Sequence, residues 1–545
     1  MQSGTAEKAE LTDLDAVIAA AEAGDHARAS DLARAALDRG ELHPLFLNLR
    51  AWWHEANGRL PAALADLEHA TALAPDDVPV LNALGLCRER LGRTREALAA
   101  FDKATRLAPG FAPAQMNRGR VLEALGESDA ARASYESALK LGHNAHPDLA
   151  ALAARRADWP SARAHAQSAL AIRPGLAAAE LALAGAELAE RDFATAKGRM
   201  ARLLEGELSA LERATVYTLL GDALDGLGDF AAAFAAYESG NALRRGFYAP
   251  RYANPAVESM PGYVQRLFRW FEKLPPEHFA TTAKDAPGNE DGAAEHVFLV
   301  GFARSGTTLL EEVLACHPRV VTTQERDGLS EAVANLFAGD AALDRLASLK
   351  GGGLARYRRS YWRALAESGI EAKGKCLIDK QPFHSIALPL LARLFPAAKI
   401  LYSLRDPRDV VLSAFRRRFQ MGPANFQLLT LETAARFYDQ VMRLADLYRG
   451  RLPLQLRETR HETLIADFDG EARRVCDFIG IPWTDTLFGF AGRAQARAIQ
   501  TPSGPQIARG LNAEGVGYWR NYRHGLEPVL PILAPWVERF GYPAD

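Results

Sequence analysis

Cysteine is scarce in this 545-residue chain: Cys87, Cys316, Cys376 and Cys476 are the only four, and they lie far apart. None has the spacing of a metal-ligand pair, so neither a disulfide framework nor a cysteine metal centre is expected. Buried free thiols in a reducing compartment fit better. No apolar run approaches the ~20 residues that span a bilayer. The first fifteen residues also lack the apolar stretch of a secretory signal. A cytoplasmic protein without membrane insertion is the expectation. Net charge is nearly absent too, with 65 Lys+Arg against 67 Asp+Glu. Its distribution is uneven: from His296 onward 33 basic residues face 26 acidic ones, and before it 32 face 41. Such asymmetry suggests two modules with different partners. A mildly basic second half suits a small polyanion or is simply a solvated surface, and no nucleic-acid partner is expected. The length calls for three or four domain-sized units.

The first half repeats. Gly24, Gly58, Gly92 and Gly126 fall at a constant step of 34 residues, each opening a similar short motif. Weaker copies begin at Asp158, Asp192 and Asp229. Within a unit, Gly85 marks a close approach of two helices, Ala97 and Ala104 keep the second helix tight, and Phe101 and Leu107 fill the seam. The period and pattern resemble the tetratricopeptide repeat, whose signature is a 34-residue helix–turn–helix. About seven units fit between residues 11 and 245. One unit cannot bury its own apolar face, so the resemblance implies an α-solenoid with a concave binding surface. That surface binds a protein or peptide substrate or a partner, or the array only props up or dimerises its neighbour; a homodimer stays open.

Residues 246–295 form a bridge and linker, with one helix over 263–271 and a polar Gly/Pro-containing stretch over 281–294. From 296 to 545 the pattern alternates. Strands are expected over 296–301, 319–323, 376–378 and 399–403. Helices are expected over 305–316, from about 328, over 385–394, from about 408 and over 431–448. This is an α/β domain with a mostly parallel sheet, whose ligand sits at the carboxyl ends of the strands.

The centre of that domain is the loop after the first strand. Gly301-x4-Gly306-Thr307-Thr308 has P-loop spacing, with Thr307 where a nucleotide triphosphatase carries its lysine. A strand, a tight glycine turn and a helix N-terminus make an anion cradle, because free amides and the positive end of the helix dipole converge. The missing lysine, with Arg304 inside the loop, argues against triphosphate chemistry and for another phosphate-bearing donor. Two further strand ends offer polar groups: Lys380 in the 379–383 segment, and Arg405 with Ser413 two turns into the next helix. Two separate anion sites suit a nucleotide phosphorylated at both ends of its ribose.

The Arg304-to-Thr308 loop and the 404–413 segment resemble, in order, the two phosphate motifs of sulfotransferases that use 3′-phosphoadenosine 5′-phosphosulfate (PAPS). Asp379-Lys380-x-Pro382-Phe383, the late run Ser503-x-x-Gln506-Ile507-x-Arg509 and Trp519-x-x-Tyr522 are similar to tyrosylprotein sulfotransferases and to bacterial sulfotransferases with tetratricopeptide repeats. The resemblance implies that Arg304, Ser305, Gly306, Thr307 and Thr308 cradle the 5′-phosphosulfate. Arg405 and Ser413 would hold the 3′-phosphate, with Arg509 a further contact and His461 near the adenine. Glu325, 21 residues after Arg304, would be the catalytic base, with Lys380 and Ser503 donating to the transferring group. No metal is implied. The leading acceptor is a protein tyrosine; a saccharide, lipid or small phenol is the alternative. A P-loop nucleotide kinase and a non-catalytic repeat scaffold are the readings from other classes.

Three positions depart from the family pattern: Ala303 and Gly510 replace prolines, and His461 replaces an aromatic residue. None of these deletes a catalytic group. Arg416, Arg417 and Arg418 read as a solvated helix face, and His317 beside Pro318 as a structural turn histidine.

Overall fold

The structure is a computed structural model that describes residues 13–275, 292–497, 507 and 510–545. It divides into two compact units: the chain up to Ala154 with Asp158–Leu183, and Arg155–Ala157 with Ala184–Asp545.

In the first unit, helices follow one another as short-looped hairpins, among them Pro44–Ala56 with Leu60–Leu73, Val78–Arg90 with Thr94–Leu107, and Ala112–Ala124 with Ser128–Lys140. Glycine lets paired helices touch. A Cβ on Gly85 would sit 2.6 Å from the Phe101 ring, and one on Gly119 would sit 2.6 Å from Tyr135, one repeat later. Both rings are buried. Leu107 does not fill the seam as expected: it is the last residue of its helix, beyond the crossing, and 43% exposed.

The second unit begins inside the repeats. Its last hairpin pairs Ala210–Gly226, started by a Ser209–Glu212 capping box, with Phe230–Tyr252. The same glycine–ring contact recurs, Gly221 against Tyr237 at 2.6 Å. The second helix of this pair runs through the expected boundary at 245/246 to Tyr252. The expected bridge helix then spans Met260–Lys273. Counted over the described residues up to Tyr252, fourteen helices follow in helix–turn–helix order.

Five strands follow among the described residues: β1 (Glu295–Gly301), β2 (Val320–Thr322), β3 (Cys376–Lys380), β4 (Lys399–Leu404) and β5 (Gln455–Arg460). They form one parallel sheet in the order β2-β3-β1-β4-β5. Alternation explains why the central strands are apolar throughout. Val297, Leu299, Ile378 and Leu401 pack on one face with Leu310, Val313 and Ile479. Phe298, Val300, Leu377, Ile400 and Tyr402 pack on the other with Tyr361, Phe395 and Tyr438. A parallel sheet covered on both faces needs such strands. The second core also takes in Leu224, Tyr237, Val264 and Phe271, so the last hairpin and the bridge helix share it with the sheet.

Candidate active site

Past β1 the chain turns through Arg304 (φ +74°) and Gly306 (φ +95°) into helix Thr307–Leu314. Glycine is required at 306 on two counts. The backbone is left-handed, and a Cβ there would lie 2.7 Å from His461 Nδ1. Neighbouring strand ends pin the loop: Ser403 Oγ donates to the Ser305 carbonyl at 2.7 Å, and Ser385 Oγ to the Gly301 carbonyl at 2.8 Å. The helix has no side-chain cap, which leaves its first amides facing the turn.

Arg304 reaches sideways rather than over its own loop. Its Nε donates to Ser413 Oγ at 2.9 Å, so residues expected at two separate phosphates meet. Arg405, just past β4, is 8% exposed; Nη1 donates to the Arg304 carbonyl at 3.4 Å and Nη2 to the Gly515 carbonyl. Its Nε is buried without a hydrogen-bond partner among the described residues, as is Nδ1 of His461. Burial, then the guanidiniums of Arg417, Arg405 and Arg416, push the Arg304 pKa well below the ordinary arginine value. Burial with Arg405 and Arg304 likewise pushes His461 well down, which leaves a neutral imidazole. A bound anion would reverse both pressures. Asp409, on the helix that carries Ser413 (Pro407–Arg416), accepts the Gly517 and Trp519 amides at 2.7 and 2.8 Å. Burial raises its carboxyl to about 6. Gly515 to Trp519 thus wall the cradle. Sequence reasoning missed this wall, because only the fold carries residues 515–519 back to Arg405.

At the end of β3 stands Lys380, opposite Leu299 of β1 and fully buried. A solvated lysine is therefore excluded. Its Nζ pairs with Glu325 and lies 3.3 Å from Glu311 Oε2. Burial alone would lower the ammonium; Glu311 and Glu325 outweigh it and hold Lys380 above the ordinary value. Glu325 keeps 40% of its side chain exposed. It follows Gln324 in the left-handed region, at φ +66° and +52°. Two non-glycine residues in succession there are strained. The strain is held by the Gln324 amide donating to Glu311 Oε1 at 3.1 Å and by Gln381 Nε2 donating to the Glu325 carbonyl at 3.2 Å. Beneath them, buried Asp379 accepts the Tyr361 hydroxyl at 2.8 Å and the Thr323 hydroxyl at 3.3 Å. Glu311 was missed. The available signal was a pair of carboxylates, Glu311 and Glu312, inside a helix otherwise composed for a core; both are buried.

Other expectations divide. Ser305, Thr307 and Thr308 are buried in the cradle loop. Ser503, Gln506 and Arg509 lie outside the described residues. Gly510 has φ +84° and donates its amide to the Ile507 carbonyl at 2.9 Å, a position proline cannot occupy. His317 is the turn histidine expected, bridging the Pro482 carbonyl and the Arg319 amide. The arginine triplet is corrected at Arg416, while Arg417 is half-buried and Arg418 exposed. Arg416 is only 9% exposed and pairs with Asp225 at 2.6 Å, because the helix end turns into the core shared with the last hairpin. No three His, Cys, Asp or Glu among the described residues gather as a metal site, and no described helix is long and apolar enough to cross a membrane.

Comparison with known proteins comes to the same parts of the chain. Residues 296–485 match the model of the Sulfotransferase family. Residues 14–78 and 82–148 match one tetratricopeptide-repeat model, and 214–245 another. A protein of Aquifex aeolicus (strain VF5) named only as uncharacterized is 22% identical over 52% of this chain and 38% of its own length, so the chain spans little more than a third of that relative. Protein-tyrosine sulfotransferase 2 of Gallus gallus is 26% identical over 45% of this chain and 69% of its own. Among solved structures, the sulfotransferase domain from the Synechococcus PCC 7002 olefin synthase aligns at 20% identity and a TM-score of 0.32, over 48% of this chain and 99% of that one.

Proposed function

Because the chain carries a sulfotransferase-family domain behind tetratricopeptide repeats, we propose that it moves the sulfuryl group of PAPS to an acceptor hydroxyl, most specifically that of a protein or peptide tyrosine. The observation that carries the donor assignment is the arginine cluster. Arg304 donates to Ser413, Arg405 donates to the Arg304 carbonyl, and a buried Arg405 Nε lacks an acceptor among the described residues. Fixed, crowded cations with an open donor suit a doubly phosphorylated nucleotide. When bound, that donor supplies an activated sulfuryl group on a phosphate leaving group.

This chain's residues do the rest. The Arg304–Thr308 loop and the uncapped helix hold one phosphate; Arg405, Ser413 and, outside the described residues, Arg509 hold the other. The neutral His461 ring, packed on Gly306, presents a face to the base. Glu325, half in solvent, takes the proton of an incoming phenol, whose pKa of about 10 makes a base worthwhile. Lys380, fixed between Glu311 and Glu325, donates where negative charge develops. Ser503 shares that task. The tyrosine acceptor is supported by this Glu–Lys pair and by relatives named protein-tyrosine sulfotransferase. The repeats recruit the protein that bears it. Four free thiols fit work in the reducing cytoplasm.

The deciding experiment is calorimetric titration with 3′,5′-phosphoadenosine, 5′-AMP and Mg·ATP, followed by transfer of labelled sulfate from PAPS to tyrosine peptides. Preferred binding of the bisphosphate, and label on tyrosine, is the expected result. A preference for Mg·ATP would sink the proposal, and label on sugars or small phenols alone would replace the acceptor.

A further inference from the structure

We propose that Asp225, in the last repeat hairpin, is a positioning residue of the donor site: one carboxylate that holds both chain segments flanking Arg405. What the site binds rests on the reading above. The geometry of the hold does not.

Asp225 lies near the end of helix Ala210–Gly226 and faces the sheet domain. Its Oδ1 accepts the Tyr518 hydroxyl at 2.9 Å and the Tyr522 hydroxyl, while Oδ2 takes Arg416 Nη2 at 2.6 Å. The Arg416 guanidinium is buried and ringed by Tyr237, Tyr518 and Tyr522, at 5.3, 5.0 and 5.0 Å from the ring centroids. Each group that Asp225 grips continues directly into the cradle. Arg416 ends the helix on which Ser413, one turn earlier, receives Arg304 Nε. Tyr518 follows Gly517, whose amide is held by Asp409, and Gly515, whose carbonyl takes Arg405 Nη2. A second tie runs beside the first, from Asn241 Nδ2 to the Phe415 carbonyl at 2.8 Å.

Charge makes the grip strong. Burial works against Arg416's charge, and its tyrosine and aspartate neighbours more than restore it. Taking away one member of a buried pair costs far more than taking away an exposed one, because the partner is left without a counter-charge. Loss of the Asp225 carboxylate would therefore loosen the 413–416 and 515–519 segments together. Among the described residues neither segment bonds to Lys380 or Glu325, so the effect falls on donor binding and spares the chemical step. The last repeat is thus a structural part of the donor site, which gives a physical reason for its sharing a core with the sheet.

The test uses the full chain carrying Asp225→Asn or Asp225→Glu. For Asp225→Asn we expect faster amide hydrogen exchange in 413–417 and 515–519. Affinity for 3′,5′-phosphoadenosine should be about tenfold weaker, and donor KM about tenfold higher with kcat within about twofold. Asp225→Glu keeps the charge and should recover most of the loss. Glu187→Gln, which breaks the 2.7 Å pair with Arg199 in the preceding hairpin, is the control for general damage to the repeats and should change none of these. Unchanged exchange in both segments, a fall in kcat at constant KM, or the same loss in Glu187→Gln would overturn the proposal. If the wild type binds no bisphosphate, the donor reading fails while the exchange measurement still decides the role of Asp225. Should Asp225→Asn not fold, Tyr518→Phe with Tyr522→Phe keeps the Arg416 pair and should loosen 515–519 alone; no loosening there counts against the proposal equally.

Discussion

Lys380 and Arg405 stand at the ends of two strands of the same sheet, and the fold treats their charges in opposite ways. Lys380 is sealed from solvent and matched twice, by Glu311 and Glu325, so that its charge is held despite burial. Arg405 sits almost as deep among other guanidiniums, donates to the Arg304 and Gly515 carbonyls, and keeps one buried N–H without an acceptor among the described residues. A satisfied cation is preorganised to donate at a reacting centre. A buried guanidinium with one N–H open among the described residues is poised for an anion that arrives with the substrate. Under the proposed function the contrast assigns the chemistry to one strand end and the donor to the other, and it can be broken at either end.

The largest effect is expected at the satisfied site. Glu325→Gln removes the proposed base and one counter-charge of Lys380, and should lower kcat about a thousandfold, within the range of general base catalysis. Bisphosphate affinity should stay near wild type; a matching loss of affinity would mean the two strand ends are one site. At the other end, Arg405→Ala removes charge-assisted bonds and should weaken bisphosphate binding roughly tenfold to a hundredfold in calorimetry, with kcat at saturating donor much less affected. Arg405→Lys sharpens the point. It restores charge but not the planar fork, and should recover only part of the affinity.

The two strand ends were unequally legible in the sequence. The glycine spacing of 301–308 and the arginine after an apolar run announced the cradle, because strand, turn and helix N-terminus are local and leave a local pattern. Four of the five strands were legible for the same reason. Strand β5 was missed: it is an edge strand, polar along Gln455–Arg460 with only Thr459 buried, so no apolar run marks it. The Lys380 site was half legible. Lys380 and Glu325 stood out through resemblance, but Glu311 touches them only because helix Thr307–Leu314 packs beside β3. Arg416 was misread outright, since its burial depends on Asp225, almost two hundred residues away.

The smallest and most diagnostic effect belongs to Glu311. Burial, eased by Lys380, raises its carboxyl from the ordinary 4.5 to about 6. The groups facing it are Lys380, Glu312 and Glu325. Because the folded value lies above the unfolded one, this group's share of stability is full below about pH 4.5 and is lost as pH rises through about 6. Activity should run the other way. Below pH 6 Glu311 gains a proton and Lys380 loses one of its two counter-charges, so Glu325 is drawn more tightly into the remaining pair and is a poorer base. The pH–rate profile should show an acid limb with a midpoint near 6. Glu311→Gln keeps an acceptor for the Gln324 amide while removing the charge. It should lower kcat about threefold to tenfold at neutral pH, consistent with one second-tier ion pair, and abolish that limb. A limb that survives unchanged would assign it to another group, and Lys380 would then be matched in function by Glu325 alone.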